Sequence, residues 1–190
     1  MKYKLTDETM TTESGVLLHR IECVKSFGNV KAGDLGGFIE KEENLSQIYY
    51  CWVSGDACVY GDARVYGNSR VYGNAEVYGN ARVFGDAMVF GDARVFDNAE
   101  VSGDAEVSGD ACVSGDAVIC NSNDYIVFKN NWSSGRYFTW TRSNDMWRVG
   151  CFSGTCEELI EKAYKDSKLS GDCYKAYVEL VEKLKQQQKQ

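Results

Sequence analysis

Residues 53–119 read VSGDAC VYGDAR VYGNSR VYGNAE VYGNAR VFGDAM VFGDAR VFDNAE VSGDAE VSGDAC VSGDAV I. A valine begins each six-residue repeat, and a small residue, alanine except for Ser69, stands two places before the next aliphatic residue. A period of six is neither helical nor typical of a long strand. The pattern instead predicts many short strands that are separated by regular corners.

Each repeat combines a short strand with a turn. Side chains alternate across a strand, so the small residue and the valine both point inward. The Gly-Asp or Gly-Asn pair turns the chain because these residues accept left-handed backbone conformations. If three corners complete a coil, each residue stacks on the one 18 positions later, about 4.8 Å away. We therefore predict a parallel β-helix with three strands per coil.

The repeat resembles the hexapeptide-repeat family, in which a small residue precedes an aliphatic residue by two places. The resemblance covers residues 53–119 and implies a left-handed parallel β-helix. The chain departs from the family pattern at one position. The usual glycine after the aliphatic residue is replaced by Tyr, Phe or Ser, and in most repeats Gly follows one place later.

The flanking sequences predict a mainly β protein with three parts. These are an N-terminal β cap at residues 1–52, the β-helix at 53–119 and a C-terminal α+β domain at 120–190. Alternating residues predict cap strands at 2–6 and 16–24. The segment GDLGGFIE at 33–40 predicts a turn into an irregular first coil.

The C-terminal domain is predicted to contain a small antiparallel meander, with strands at 125–128, 136–141 and 146–150, and then two helices. Thr155 and Glu158 form a capping box for the first helix. Asp172 is predicted to cap the second helix. One face of that helix carries Tyr174, Tyr177, Val178 and Val181. The tail, rich in Gln and Lys, is predicted to fray.

Several segments together resemble hexapeptide-repeat proteins of bacteriophages and prophages. They are KYKLT at 2–6, GDLGGFIE at 33–40, the Gly-Asn/Asp-Ala-Arg-Val array, and VGC at 149–151 followed by TCEE at 155–158. Members often carry a histidine shortly after the Gly-Cys pair, where this chain has Gly154. The resemblance implies a phage protein that acts in the cytosol of its bacterial host.

Charge and composition exclude several classes of partner. The formal net charge of −7 disfavours long nucleic acid and anionic membranes. No apolar run approaches the roughly 20 residues of a membrane span, and no secretory signal is recognisable. We therefore expect a cytoplasmic protein whose eight cysteines are reduced.

Catalysis is not favoured by the available side chains. Hexapeptide acyltransferases need a histidine base, and the carbonic anhydrases of this family need three histidine ligands. The chain has one histidine, His19, in the N-terminal cap. We expect no enzymatic activity, no cofactor and no metal, with an acyltransferase as the least favoured alternative.

Cysteine and aspartate residues allow further chemical interpretations. Cys58 and Cys112 lie three coils apart and cannot form a disulfide. Cys151 and Cys156 could be reactive, although burial as small hydrophobic residues is the favoured interpretation. The Asp/Asn residue of each repeat could form a calcium ladder, but corner geometry alone explains the column.

Aromatic residues follow seven consecutive repeat valines and should point outward. They are Tyr60, Tyr66, Tyr72, Tyr78, Phe84, Phe90 and Phe96, whereas serines occupy this position in the last three repeats. One interpretation is an external ladder of stacked rings, in which each pair contributes about 0.5–1.5 kcal/mol. The other is a surface covered by a partner or a second copy, to which we assign Tyr60, Tyr72, Tyr78, Phe90 and Phe96.

Outward charged residues predict a ligand site. The 18-residue spacing places Glu76 by Arg94 and Arg82 by Glu100, as complementary pairs. It also stacks Arg64 on Arg82 beside Tyr66 and Phe84. Guanidinium groups next to rings could hold a phosphate and a base. The alternative is a solvated face with spare arginines.

Two classes of function therefore remain. The first is a non-catalytic, homo-oligomeric binding protein of a phage, which counters host defence by sequestering a small anionic nucleotide or blocking a host defence protein. The second is a structural or assembly module. The sequence does not name the ligand, the host target or the oligomer order.

Overall fold

A computed structural model describes residues 1–187 of the chain. The N-terminal part contains β1 (Tyr3–Thr11), β2 (Leu17–Cys23), β3 (Leu35–Ile39) and a 3-10 helix (Glu42–Asn44). Twelve two-residue strands follow, β4 (Trp52–Val53), β5 (Cys58–Val59), β6 (Arg64–Val65), β7 (Arg70–Val71), β8 (Glu76–Val77), β9 (Arg82–Val83), β10 (Met88–Val89), β11 (Arg94–Val95), β12 (Glu100–Val101), β13 (Glu106–Val107), β14 (Cys112–Val113) and β15 (Val118–Ile119).

These short strands form three parallel ladders. The ladders are β4-β7-β10-β13, β6-β9-β12-β15 and β3-β5-β8-β11-β14. Within the repeats, every inward Ala and Val is at most 1 % exposed. The predicted parallel β-helix with inward Ala and Val is therefore confirmed.

The corners require left-handed backbone at the repeat glycines, whose φ angles lie between 61° and 76°. One repeat has Asp97 in place of glycine, with φ 58°. Its carboxylate accepts a hydrogen bond from the backbone N–H of Gly115 at 3.1 Å. This contact connects the unusual corner to the coil above.

The parallel ladders begin before residue 53. Phe38 and Ile39 of β3 pair with Cys58 and Val59 of β5, and Leu45 forms a parallel bridge with Val65. The segment at 33–40 thus leads into an irregular first coil, as predicted. The hairpin of β1 and β2 adds two antiparallel strands to the edge of β3.

Hydrogen bonds give the β-helix a polarity. The backbone N–H of an outward residue donates to a carbonyl one coil later, as Arg64 does to Ala81 at 2.9 Å. The first coil therefore presents unpaired carbonyls at its outer edge. The N-terminal cap supplies donors to them: Lys2 Nζ binds Cys51 O at 2.8 Å, and the Tyr3 hydroxyl binds Leu45 O at 2.6 Å.

The last coil presents the opposite groups, unpaired N–H donors. Hydroxyl oxygens of the C-terminal domain accept from them. The pairs are Glu106 N with Ser122 Oγ (3.4 Å), Ser108 N with Tyr125 OH (3.3 Å), Cys112 N with Thr139 Oγ1 (2.9 Å) and Val118 N with Ser143 Oγ (2.7 Å). Each end of the β-helix is thus closed by side chains of matching polarity, which satisfies edges that could otherwise pair with another chain.

The C-terminal domain packs a sheet against two helices. Its strands are β16 (Tyr125–Lys129), β17 (Tyr137–Thr141), β18 (Met146–Val149) and β19 (Phe152–Gly154), and its helices are α1 (Cys156–Asp166) and α2 (Lys168–Gln187). The predicted meander is confirmed, although it has a fourth strand. The capping box is confirmed too, because Thr155 accepts from Glu158 N and Glu158 accepts from Thr155 N.

The predicted start of the second helix is wrong. Helix α2 begins at Lys168, and Ser167 Oγ accepts from Ser170 N at 3.0 Å. Asp172 lies inside the helix and accepts from Lys168 Nζ and the Tyr164 hydroxyl. The apolar face predicted for this helix is confirmed by the burial of Tyr174, Val178 and Val181. The predicted fraying includes residues 188–190, which lie outside the described residues.

The inward and outward positions predict contrasting mutational effects. Val83→Asp places a charge in the fully buried core and should abolish cooperative unfolding or lower stability by several kcal/mol. Arg82→Ala removes one exposed ion pair and should cost less than about 1 kcal/mol. Thermal and urea unfolding of both variants tests this expectation. Equal losses of stability would contradict the assignment of the two positions.

Candidate functional site

Three of the four predicted ligand residues line one surface groove. Arg64 and Arg82 are direct partners in the parallel pairing of β6 and β9. With Tyr66, Glu43 and Ser46 they border a groove of about 490 Å³, which we call the Arg64–Arg82 groove. The predicted arginine neighbours are thus brought together, on a surface that is open to solvent.

The fourth residue, Phe84, does not line the groove. Its ring stacks on Tyr66 with 4.9 Å between centroids and 3° between planes. One face of Tyr66 is therefore occupied within the chain. A ligand base could stack only on the other face of Tyr66. The predicted site with two rings for the base is therefore reduced to one ring.

The charges of the groove are unevenly compensated. Arg82 Nη1 lies 3.2 Å from Glu100 Oε1. Among residues 1–187, Arg64 has no carboxylate oxygen within 4 Å of its guanidinium. Burial raises the pKa of the Tyr66 hydroxyl, which therefore stays neutral and can donate a hydrogen bond. The groove offers Arg64 without a direct ion pair, Arg82 shared with Glu100, the Tyr66 phenol and the carboxylate of Glu43.

The outward aromatic residues form three stacked columns, so the predicted ladder is confirmed. They are Tyr60–Tyr78–Phe96, Tyr66–Phe84 and Tyr72–Phe90. Neighbouring ring centroids are 4.8–5.0 Å apart, and the planes differ by at most 5°. Such offset or parallel contacts stabilise adjacent coils.

The first column is largely covered within the chain. Phe96 is only 7 % exposed, because the Arg148 guanidinium lies 4.8 Å from its ring centroid. Tyr60 packs against the small cluster that includes Leu18 and Phe38. The assignment of Phe96 to a partner surface is therefore wrong. The Tyr72–Phe90 column is the better candidate for such a surface.

The histidine belongs to the N-terminal hairpin. His19 lies on β2, and its Nδ1 is 3.2 Å from the backbone oxygen of Thr6. It pairs with Thr9 on one side and Ile39 on the other. This environment agrees with a role in the cap.

All eight cysteines are free thiols. Burial raises the pKa of Cys58 to about 11, and the pKa values of Cys112 and Cys156 are raised by burial as well. These thiols are protonated at neutral pH and are poor nucleophiles. The expected burial of Cys151 is wrong, because this residue is exposed in the turn between β18 and β19.

The corner column forms side-chain ladders. The amide of Asn68 donates to Asp86 at 3.0 Å, that of Asn74 to Asp92 at 2.9 Å, and that of Asn98 to Asp116 at 3.0 Å. Within residues 1–187, no group of three His, Cys, Asp or Glu residues is placed to hold a metal ion. The corner interpretation explains this column without a cation.

Two stretches of the chain, residues 57–73 and 75–91, resemble the YdcK beta solenoid repeat. They lie within the repeat array and agree with its β-helical structure. No curated protein matches the sequence. Among residues 1–187, no helix is long and apolar enough to span a membrane.

A second group of arginines is not apparent from the repeat pattern. Arg94, Arg136 and Arg148 line a cavity of about 390 Å³ between the β-helix and the C-terminal sheet. The 18-residue spacing predicts an ion pair between Arg94 and Glu76, its partner in strand register. These two residues make no ion pair, and Glu76 accepts instead from the Tyr60 hydroxyl at 3.3 Å. By contrast, the predicted pairing of Arg82 with Glu100 is confirmed.

Proposed function

We propose that the protein is a non-catalytic binding protein that holds a small, nucleotide-like anion in the Arg64–Arg82 groove. The observation that carries this proposal is the direct strand register of Arg64 and Arg82, which line one groove together with Tyr66. Like charges at strand spacing repel each other, and a bound phosphate would relieve this repulsion. A base would stack on the open face of Tyr66.

Binding is favoured over catalysis by the surroundings of the reactive side chains. His19 contacts the hairpin backbone. The pKa values of Cys58, Cys112 and Cys156 are raised, so these thiols are not activated. An acyltransferase would need a base that is free to contact an acceptor.

Binding is also favoured over assembly into filaments. End-to-end stacking of β-helices would require open backbone edges. Here Lys2 and Tyr3 occupy carbonyls of the first coil, and Thr139 and Ser143 occupy N–H groups of the last. A filament would have to displace these contacts, whereas a ligand on the flank would leave them intact.

The biological setting is a further part of the proposal. The resemblance to phage and prophage proteins supports action in the host bacterial cytosol. A protein that holds its ligand without converting it acts stoichiometrically. This suits counter-defence by sequestering a nucleotide signal. Blockade of a host defence protein is the alternative, and the Tyr72–Phe90 column would be its contact surface.

Calorimetry with cyclic dinucleotides and ADP-ribose derivatives tests the groove. We expect at least one of them to bind, with an affinity that falls as salt rises because the arginines act partly through charge. Arg64→Glu combined with Arg82→Glu should weaken binding at least about tenfold, since charged hydrogen bonds are lost.

Two control variants test whether the loss of affinity is specific to the groove. Arg70→Glu reverses an outward charge on the neighbouring ladder, and His19→Ala removes the histidine; both should retain the wild-type affinity. If none of these nucleotides binds, or if the double charge reversal leaves binding unchanged, the groove is not the site.

Homo-oligomerisation is expected through the Tyr72–Phe90 column. Light scattering should give the wild type a multiple of the 21.2 kDa chain mass. The Tyr72→Lys, Phe90→Lys variant should be smaller, because two charges would be buried in the interface. Glu13→Gln with Ser14→Lys adds the same net charge on an exposed turn and should not dissociate it. A monomeric wild type would leave the rings as an intramolecular ladder.

A further inference from the structure

The cavity between the β-helix and the C-terminal sheet has two firmly connected walls. Arg94, Glu76 and Cys112 lie side by side on one wall, in the ladder of β8, β11 and β14. Arg148 lies on β18 of the other wall, and Thr139 of β17 is its strand partner. The hydrogen bond from Cys112 N to Thr139 Oγ1 joins the walls. We call this cavity the arginine cleft.

Arg148 is held in place but is incompletely satisfied. Its guanidinium lies over the Phe96 ring at the end of the first aromatic column. Its Nε is buried and has no hydrogen-bond partner among the described residues. A buried charged donor without an acceptor is costly, so the cleft holds an arginine whose hydrogen bonding an ordered water or a bound anion would complete.

The other arginines of the cleft make no direct ion pair. In the part of the chain that the structure describes, neither Arg94 nor Arg136 has a carboxylate oxygen within 4 Å. Burial raises the pKa of the Cys112 thiol, although Arg148 and Arg94 act in the opposite direction. The thiol is therefore neutral and does not balance the arginines. Three guanidinium groups at one cavity are a suitable setting for a phosphate.

Acidic residues occupy the corner side of the same cavity. Asp92 and Asp110 line it, next to Asn74. Asp92 already accepts a hydrogen bond from the Asn74 amide. Their remaining oxygens can accept from hydroxyl or amino groups of a ligand, but they repel an anion. The cavity volume, about 390 Å³, falls within the range of about 300–1,000 Å³ that is common for small-molecule sites.

We infer that the arginine cleft is a second binding site, for a small phosphorylated ligand that also carries hydroxyl or amino donors, such as a nucleoside monophosphate. Its phosphate binds Arg94, Arg136 and Arg148, and its donors bind Asp92 and Asp110. This site shares no residue with the Arg64–Arg82 groove and does not depend on it. Because both walls contribute arginines, ligand binding also fastens the C-terminal domain to the β-helix.

Calorimetry in the Arg64→Glu, Arg82→Glu background tests the cleft separately from the groove. The probes are adenosine monophosphate, inorganic phosphate and adenosine. We expect the monophosphate to bind more tightly than phosphate, and adenosine to show no binding. Arg94→Gln should lower the affinity for the monophosphate at least about tenfold, because a charged hydrogen bond is lost.

Matched variants distinguish the contribution of the ligand's phosphate from that of its hydroxyl or amino donors. Arg70→Gln removes an exposed arginine outside the cleft and should leave binding unchanged. Asp110→Asn should weaken binding of the monophosphate but not of phosphate, since it replaces one acceptor oxygen by an NH2 donor and removes a charge that repels the anion. If none of the probes binds in the Arg64→Glu, Arg82→Glu background, the cleft is not a binding site, and the separate proposal for the groove still stands. Equal affinities of Arg94→Gln and Arg70→Gln, or equal binding of phosphate and monophosphate, would also overturn the inference.

Discussion

The backbone hydrogen bond from one coil to the next determines the organisation of the whole protein. Because the N–H groups of the outward residues donate to carbonyls of the following coil, the first coil leaves such carbonyls unpaired at one end of the β-helix, and the last coil leaves such N–H groups unpaired at the other. The two ends therefore need chemically different caps. The N-terminal cap supplies an ammonium and a phenol through Lys2 and Tyr3, and the C-terminal domain supplies hydroxyl oxygens. The N-terminal cap and the C-terminal domain thus supply the hydrogen-bond partners that the two end coils lack.

Closure of both ends leaves the flanks as the exposed surfaces of the β-helix. Two flank regions carry arginines that the chain itself does not fully neutralise, the Arg64–Arg82 groove and the arginine cleft. The groove arises from the repeat alone, because its two guanidinium groups are related by one coil. The cleft requires the C-terminal domain, which provides Arg136 and Arg148. A protein that acts by binding can use both, whereas an end-to-end assembly would need neither.

The six-residue period was sufficient to predict the buried Ala and Val, the three ladders and the stacked rings, because each follows from repeated local geometry. It did not suffice where distant segments meet. Phe96 has the same repeat position as Tyr72, yet Arg148 covers it. Glu76 has the predicted register with Arg94 but binds Tyr60 instead. Asp172 is a typical helix-capping residue, yet it lies inside α2, where the preceding Gly171 is buried against Tyr164.

Amide hydrogen exchange at the last coil tests most directly whether the β-helix is closed by its cap. The backbone N–H of Cys112 should be protected in the wild type because Thr139 Oγ1 accepts from it. Thr139→Val keeps the side-chain shape but removes this acceptor, so exchange at Cys112 should accelerate. The N–H of Arg94, which is bonded to Ala111 O one coil above, should keep its protection. Rapid exchange at Cys112 in the wild type, or no change in the variant, would contradict closure by the C-terminal domain.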